Sequence, residues 1–201
     1  MTTLSGVWLP IVTPFHDGAV DFVSYDKLID HYIAAGISGI FPLGTTGESP
    51  TLDDDECEAL VERTLGVVAG RVPVFVGIGS NSTAKTLKTL RRLDRHDFAG
   101  IVSVCPYYNR PSQDGMREHF RQIAAATDRQ IVIYNIPYRT GVNLACRRAW
   151  RPNWTGRSAT AEALYAHQLC RAPSQRRASP SATRVSPKER PPRSIVRSLR
   201  P

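Results

Sequence analysis

Gly39-Ile40-Phe41-Pro42-Leu43-Gly44-Thr45-Thr46-Gly47-Glu48-Ser49 leads into Thr51-Leu52-Asp53-Asp54-Asp55-Glu56. The first four residues form an apolar run suited to a buried strand, and the acid-rich end opens a helix whose dipole favours negative charge. Between them, Gly44-Thr45-Thr46-Gly47 is a polar turn at a strand's C-terminal end. Such a turn can offer backbone N–H groups and two hydroxyls to an anion. It is equally the composition of an ordinary βα connection, with glycine for turn geometry and threonine for a local cap.

The neighbouring sequence repeats this strand–turn–helix unit. Val7 to Phe15 is apolar and ends in a Thr13-Pro14 break, and His16-Asp17-Gly18 makes a turn. Phe22, Tyr25, Leu28, Ile29, Tyr32 and Ile33 then recur at helical intervals up to Gly36. Leu52, Cys57, Leu60, Val61, Leu65 and Val68 predict the next helix, stopped by Gly70. Val72 to Gly79, Ile101 to Pro106 and Ile131 to Pro137 read as three more strands. Helices are predicted over Ala84–Arg95 and Asp114–Thr127.

Five apolar runs alternating with four amphipathic helices specify βαβ units and a parallel sheet. A dinucleotide-binding doubly wound sheet would carry G-x-G-x-x-G after its first strand, and none is present. In a (β/α)8 barrel, chemistry gathers at the C-terminal ends of several strands. Here those ends carry Thr13, Thr45 and Thr46, Tyr107 and Tyr108, and Tyr134 with Asn135. The fold class is therefore α/β, an incomplete (β/α)8 TIM barrel of five strands over residues 1–144. A full barrel takes about 250 residues.

Composition divides the chain of 201 residues at the same place. Residues 1–144 hold 13 lysines and arginines against 16 aspartates and glutamates; residues 145–201 hold 13 against 2. The later segment contains twelve arginines, seven prolines and seven serines, with one lysine, and is expected to be largely disordered. No apolar run approaches the length of a membrane span. The N-terminus lacks secretory-signal character, so a cytoplasmic location is expected. Cys57, Cys105, Cys146 and Cys170 have no zinc-like spacing, no metal site is indicated, and no cofactor is called for.

Single residues at the strand ends stay ambiguous. Tyr108 and Tyr134 could pass a proton through a chain of hydroxyls with Thr45, or be amphipathic core-edge residues. Arg139 could grip a carboxylate bidentately or form a surface ion pair. Arg110, in a proline-bracketed loop, reads as structural.

Taken together, Gly44-Thr45-Thr46-Gly47-Glu48, Pro106-Tyr107-Tyr108-Asn109-Arg110-Pro111 and Tyr134-Asn135-Ile136-Pro137 with Arg139-Thr140-Gly141 resemble the dihydrodipicolinate synthase / N-acetylneuraminate lyase family, over about residues 5–144. The proline-bracketed tyrosine loop and Arg139 resemble the synthase branch. The resemblance implies a lyase acting without cofactor: pyruvate forms a Schiff base with a lysine, and its enamine attacks aspartate semialdehyde, on the route to diaminopimelate and lysine. It implies Tyr134, Thr45 and Tyr108 as a proton relay, Thr45 and Thr46 at the pyruvate carboxylate, and Arg139 at that of the semialdehyde. It also implies homodimers, often paired as tetramers, with the Tyr108 position reaching into the neighbour's site. Related pyruvate-dependent aldolases and dehydratases share these strand ends.

The resemblance breaks where the lysine belongs. It should lie on the sixth strand, roughly 28 residues beyond Tyr134; position 162 is Glu162, and after Arg139 the only lysine is Lys188. Lys27, Lys85 and Lys88 are expected to face solvent. The expectation is a truncated form, impaired in catalysis, with strands six to eight missing and residues from about 145 on derived from a reading-frame change. The rival reading is a non-enzymatic protein whose basic tail binds nucleic acid or an acidic partner through phosphate contacts.

Overall fold

The computed structural model describes Thr2, residues 4–145 and the backbone of 161–165. The remaining expectations for residues 145–201 (a disordered basic tract, binding of nucleic acid, the surroundings of Cys146, Cys170 and Lys188) fall outside the described residues.

The described elements, in chain order, are β1 (Trp8–Pro10), β2 (Phe15–His16), β3 (Ala19–Val20), α1 (Phe22–Ala34), β4 (Gly39–Phe41), a 3-10 turn (Ser49–Thr51), α2 (Asp54–Val68), β5 (Phe75–Gly77), α3 (Thr83–Leu93), β6 (Gly100–Val104), α4 (Gln113–Ala125), β7 (Gln130–Asn135), α5 (Pro137–Thr140) and β8 (Ala161–Tyr165). Strand β1 pairs in parallel with β4, and the parallel bridge Ile40–Val74 joins β4 to β5. From β5 the sheet continues in parallel through β6 and β7 to β8. Among the described residues, the parallel strands β1, β4, β5, β6, β7 and β8 thus follow chain order, without the reversal that marks a doubly wound sheet. The short antiparallel hairpin β2–β3 surrounds the expected His16-Asp17-Gly18 turn.

All five expected strands and four expected helices are present. β8 goes beyond the expectation, which placed no strand after residue 144. Its Glu162 stands in register with Val132 and its Leu164 with Tyr134.

Helix starts are fixed locally. Asp53 accepts from the backbone N–H groups of Asp55 (2.9 Å) and Glu56 (2.8 Å), while Glu56 accepts from that of Asp53 at 3.0 Å. The acidic run is therefore a capping box as well as dipole complement. Asp21 caps α1 through the Ser24 N–H, and Ser112 caps α4 through that of Gly115.

Alternation along the strands separates two apolar layers. Ile131 and Ile133 of β7 and Ile101 of β6 join Leu60, Leu90, Met116 and Phe120 in the core between sheet and helices. Val132 and Val102 face the other side with Phe75, against Trp8, Phe41 and Tyr134. Trp8 and Phe75 meet edge to face at 5.0 Å. Between α1 and α2, the buried Tyr25 phenol hydrogen-bonds the Thr64 hydroxyl at 2.8 Å.

Ion pairs join α2 to α3. Glu58 binds Arg92 Nε at 2.9 Å, His96 Nε2 at 3.0 Å and the Arg95 guanidinium. Glu58, Glu62 and His96 gather as metal ligands might, but the two arginines already supply that cluster's positive charge. No helix among the described residues is long and apolar enough to cross a membrane.

Candidate active site

The loop after β4 is held in shape from both sides. Leu43 is buried and adopts φ +60°, and Glu48 adopts φ +53°, a region unfavourable to residues with a Cβ. Gly47 N–H donates to the Gly44 carbonyl at 3.1 Å, and Glu48 N–H to that of Thr45 at 3.2 Å. From β1's end, the buried Thr13 hydroxyl donates to the Gly47 carbonyl at 2.8 Å. A Cβ on Gly47 would lie 2.9 Å from the Ile11 carbonyl oxygen, so only glycine fits there. On the other side, Gly77 of β5 touches the Leu43 carbonyl so closely that a Cβ would sit 2.2 Å from its oxygen. These contacts leave the Thr45 and Thr46 side chains exposed at the rim.

That rim borders a cavity of about 740 Å³. Its walls are the inward layer of the sheet, including Phe41, Phe75, Val102 and Val132. Thr45, Thr46, Tyr134 and Arg139 all line it. Burial pushes the Tyr134 phenol up from its ordinary value; the Thr45 hydroxyl, acting as a hydrogen-bonding partner, pulls it back in part. The Arg139 guanidinium remains exposed, its Nε donating to the Tyr138 phenol at 3.3 Å and its central carbon 5.4 Å from the ring centre. Four of the five candidate residues therefore share one cavity.

Tyr108 is placed differently. It is 89% exposed, takes φ +72°, and is absent from the cavity wall, where its neighbour Tyr107 stands instead. Asn135 is buried and ties β7's end to the following segment, accepting from Leu144 N–H at 3.1 Å and donating to the Asn143 side chain at 2.8 Å. Thr13 and Asn135 were legible only as strand-end residues; their roles as a clamp and a knot are tertiary. Arg110 packs beside Gly141, whose added Cβ would meet its Nε at 3.1 Å, in keeping with a structural part.

No lysine lines the cavity among the described residues. Lys27, Lys85 and Lys88 are exposed on α1 and α3, as the helical spacing predicted.

The sequence profile of the Dihydrodipicolinate synthetase family matches residues 3–151. The chain is 50% identical over 141 residues to 4-hydroxy-tetrahydrodipicolinate synthase 2 of Clostridium acetobutylicum, covering 70% of this chain and 49% of that protein. With the Thermotoga maritima 4-hydroxy-tetrahydrodipicolinate synthase it shares 47% identity over 146 residues, 73% of this chain and 50% of that one. Among solved structures, the 4-hydroxy-tetrahydrodipicolinate synthase of Methylacidiphilum fumariolicum matches with TM-score 0.70 at 44% identity, covering 71% of this chain and 48% of that chain. A structure described as the first monomeric dihydrodipicolinate synthase variant matches with TM-score 0.68 at 48% identity, covering 69% and 46%. The chain spans about half the length of the curated relatives it matches.

Proposed function

The chain belongs to the dihydrodipicolinate synthetase family, and on that footing we propose that its cavity rim is the α-keto-acid half of an aldolase-type site. The observation that carries this reading is the convergence of Thr45, Thr46, Tyr134 and Arg139 on one cavity with an apolar wall. A pyruvate carboxylate would be held by the Thr45 and Thr46 hydroxyls and the adjoining N–H groups, in a partly dry site where such bonds are stronger. Thr45 and Tyr134 would pass a proton by exchanging donor and acceptor roles. Arg139, exposed beside the cavity, would take the carboxylate of the acceptor aldehyde, which for this branch is aspartate semialdehyde. Tyr108, turned outward, would complete the relay only in a second copy of the chain, so the reading includes a homodimer.

The same reading assigns this polypeptide no condensation activity. Imine formation joins a lysine amine to the keto carbon and expels water, and the amine must be desolvated or beside a cation to be reactive near neutrality. Position 162, level with Val132, is glutamate. We propose accordingly that residues from about 145 on are read in a shifted frame, a reading supported by the twelve arginines against one lysine and by a family match that ends at residue 151. Sequencing the gene through codons 140–150 checks it. A one- or two-base shift should restore an apolar strand with a lysine about 28 residues after Tyr134; if no shift does so, the proposal fails.

Pyruvate binding tests the half-site itself. Calorimetric titration of the full chain should give millimolar-range affinity, on the order of 4 kcal/mol. Thr45→Val with Thr46→Val should weaken it about tenfold or more, the cost of two lost bonds to a charged acceptor. Equal affinity in the variant would remove the threonines from the site.

A further inference from the structure

The loop Pro106–Pro111 carries both Tyr107, at the cavity wall, and Tyr108, outside it, so something must fix its orientation. Two of its non-glycine residues, Tyr108 and Arg110, hold φ of +72° and +45°. Backbone strain of this kind persists only where surrounding contacts over-determine it. The Asn109 side chain supplies one contact, donating to the Asn81 carbonyl at 3.1 Å. Asn81 lies in the Ser80–Ser82 turn, where Ser82 N–H donates to the Ser80 hydroxyl at 3.2 Å and the Ser82 hydroxyl caps α3. The next residue, Thr83, hydrogen-bonds His119 Nδ1 at 2.9 Å through its hydroxyl. His119 sits on α4, which begins where the loop ends. The chain loop–α4–His119–Thr83–Asn81–Asn109 closes on itself.

We infer that His119 is a positioning residue, acting through Thr83 and the Ser80–Ser82 turn to set the Pro106–Pro111 loop. The imidazole is otherwise costly where it stands. It is 3% exposed, and its Nε2 is buried with no hydrogen-bond partner among the described residues. An unpartnered buried nitrogen costs stability that leucine at this position would avoid. Among the described residues, the bond to Thr83 is the imidazole's one hydrogen bond. This inference concerns loop geometry and holds whether or not the cavity takes an α-keto acid.

The arrangement is also acid-sensitive. Burial lowers His119 to about 4, below its ordinary range, because a charged ring there would be desolvated. Burial is the cause of that shift, and the charged groups on α3 and α4 are exposed or paired: Arg91 is exposed, Arg92 pairs with Asp55 and Glu58, and Arg117 pairs with Asp114. Lys85 and Lys88 on α3 are exposed, Glu118 pairs with Arg121, and burial keeps the Cys105 thiol protonated, at about 12. A folded value below the unfolded one means that the stabilisation is full above the ordinary imidazole pKa. It is lost as pH falls through about 4.

Hydrogen exchange of the full-length chain, read by mass spectrometry, tests the inference. Thr83→Val and His119→Leu should each speed exchange of residues 107–110 roughly fivefold, the equivalent of one ordinary hydrogen bond. Exchange within α1 and α2 should not change, and the double variant should match the singles. In the wild type, loop exchange corrected for intrinsic rate should rise as pH falls from the ordinary imidazole value towards about 4 and level off below it, and His119→Leu should lack that rise. Unchanged loop exchange in both variants would overturn the inference. So would acceleration spread equally over α1 and α2, the signature of a merely structural histidine. Should His119→Leu fail to fold, Thr83→Val alone decides.

Discussion

Gly77→Val is expected to leave no cooperatively folded protein. Gly77 sits on the inward face of β5, against the loop that carries Thr45 and Thr46. An added Cβ would lie 2.2 Å from the Leu43 carbonyl oxygen, 2.5 Å from its carbon and 3.0 Å from the Gly44 nitrogen. All three atoms are backbone, so no rotamer change relieves the clash. Leu43 is already in the left-handed region, and Gly77 N–H donates to the Pro42 carbonyl at 2.9 Å, which fixes the strand against the loop. Ordinary overpacking costs about 1–3 kcal/mol when side chains can yield. Here the neighbour cannot yield, and domains of this size are stable by only about 5–15 kcal/mol. Circular dichroism against temperature should show no sharp transition for the variant. A wild-type-like transition would mean that the loop is not seated on β5.

The second large effect is Phe120→Ala. Phe120 is fully buried on α4, in the core that also holds Met116, Ile123, Ile101 and Ile131. Truncation removes an aromatic ring from the layer joining α4 to the sheet and leaves a void that the surrounding strands cannot close. Substitutions of this kind cost about 3–5 kcal/mol. For a chain of this length that lowers the melting temperature on the order of 10 °C. Thermal unfolding followed at 222 nm measures it. A shift under about 2 °C would place Phe120 outside the load-carrying core.

The two layers also show what a sequence can and cannot carry. The strand–helix alternation was readable because apolar residues recur at helical spacing in α1 to α4 and continuously in the strands between them. The two faces of each strand were not separable. A central parallel strand is apolar on both sides, so Val132 and Ile133 look alike although one faces the cavity and the other the helices. The Val7–Phe15 run shrank to Trp8–Pro10, a region where two prolines limit ladder bonding. β8 was hidden because Ala161-Glu162-Ala163-Leu164 is composed of good helix formers, and its pairing with β7 is set by tertiary contact.

The candidate site divides the same way. Thr45, Thr46, Tyr134 and Arg139 stood out as polar groups at strand ends, and they do share a cavity. Tyr107 and Tyr108 are adjacent and chemically identical. Tyr107 lines the cavity while Tyr108, at a positive φ, is exposed, and the Asn109–Asn81 hydrogen bond on this loop joins residues far apart in sequence. The clamps at Thr13 and Gly77 likewise act across the sheet and leave no local pattern.

On the proposed reading, the cavity rim is a carboxylate-binding half-site without its amine. Sodium borohydride reduction in the presence of pyruvate, followed by intact mass measurement of the full chain, tests it most directly, because reduction fixes any lysine–pyruvate imine as a stable adduct. An unmodified mass is expected. A mass increase matching one reduced pyruvyl group, localised to any lysine of this chain, would contradict it.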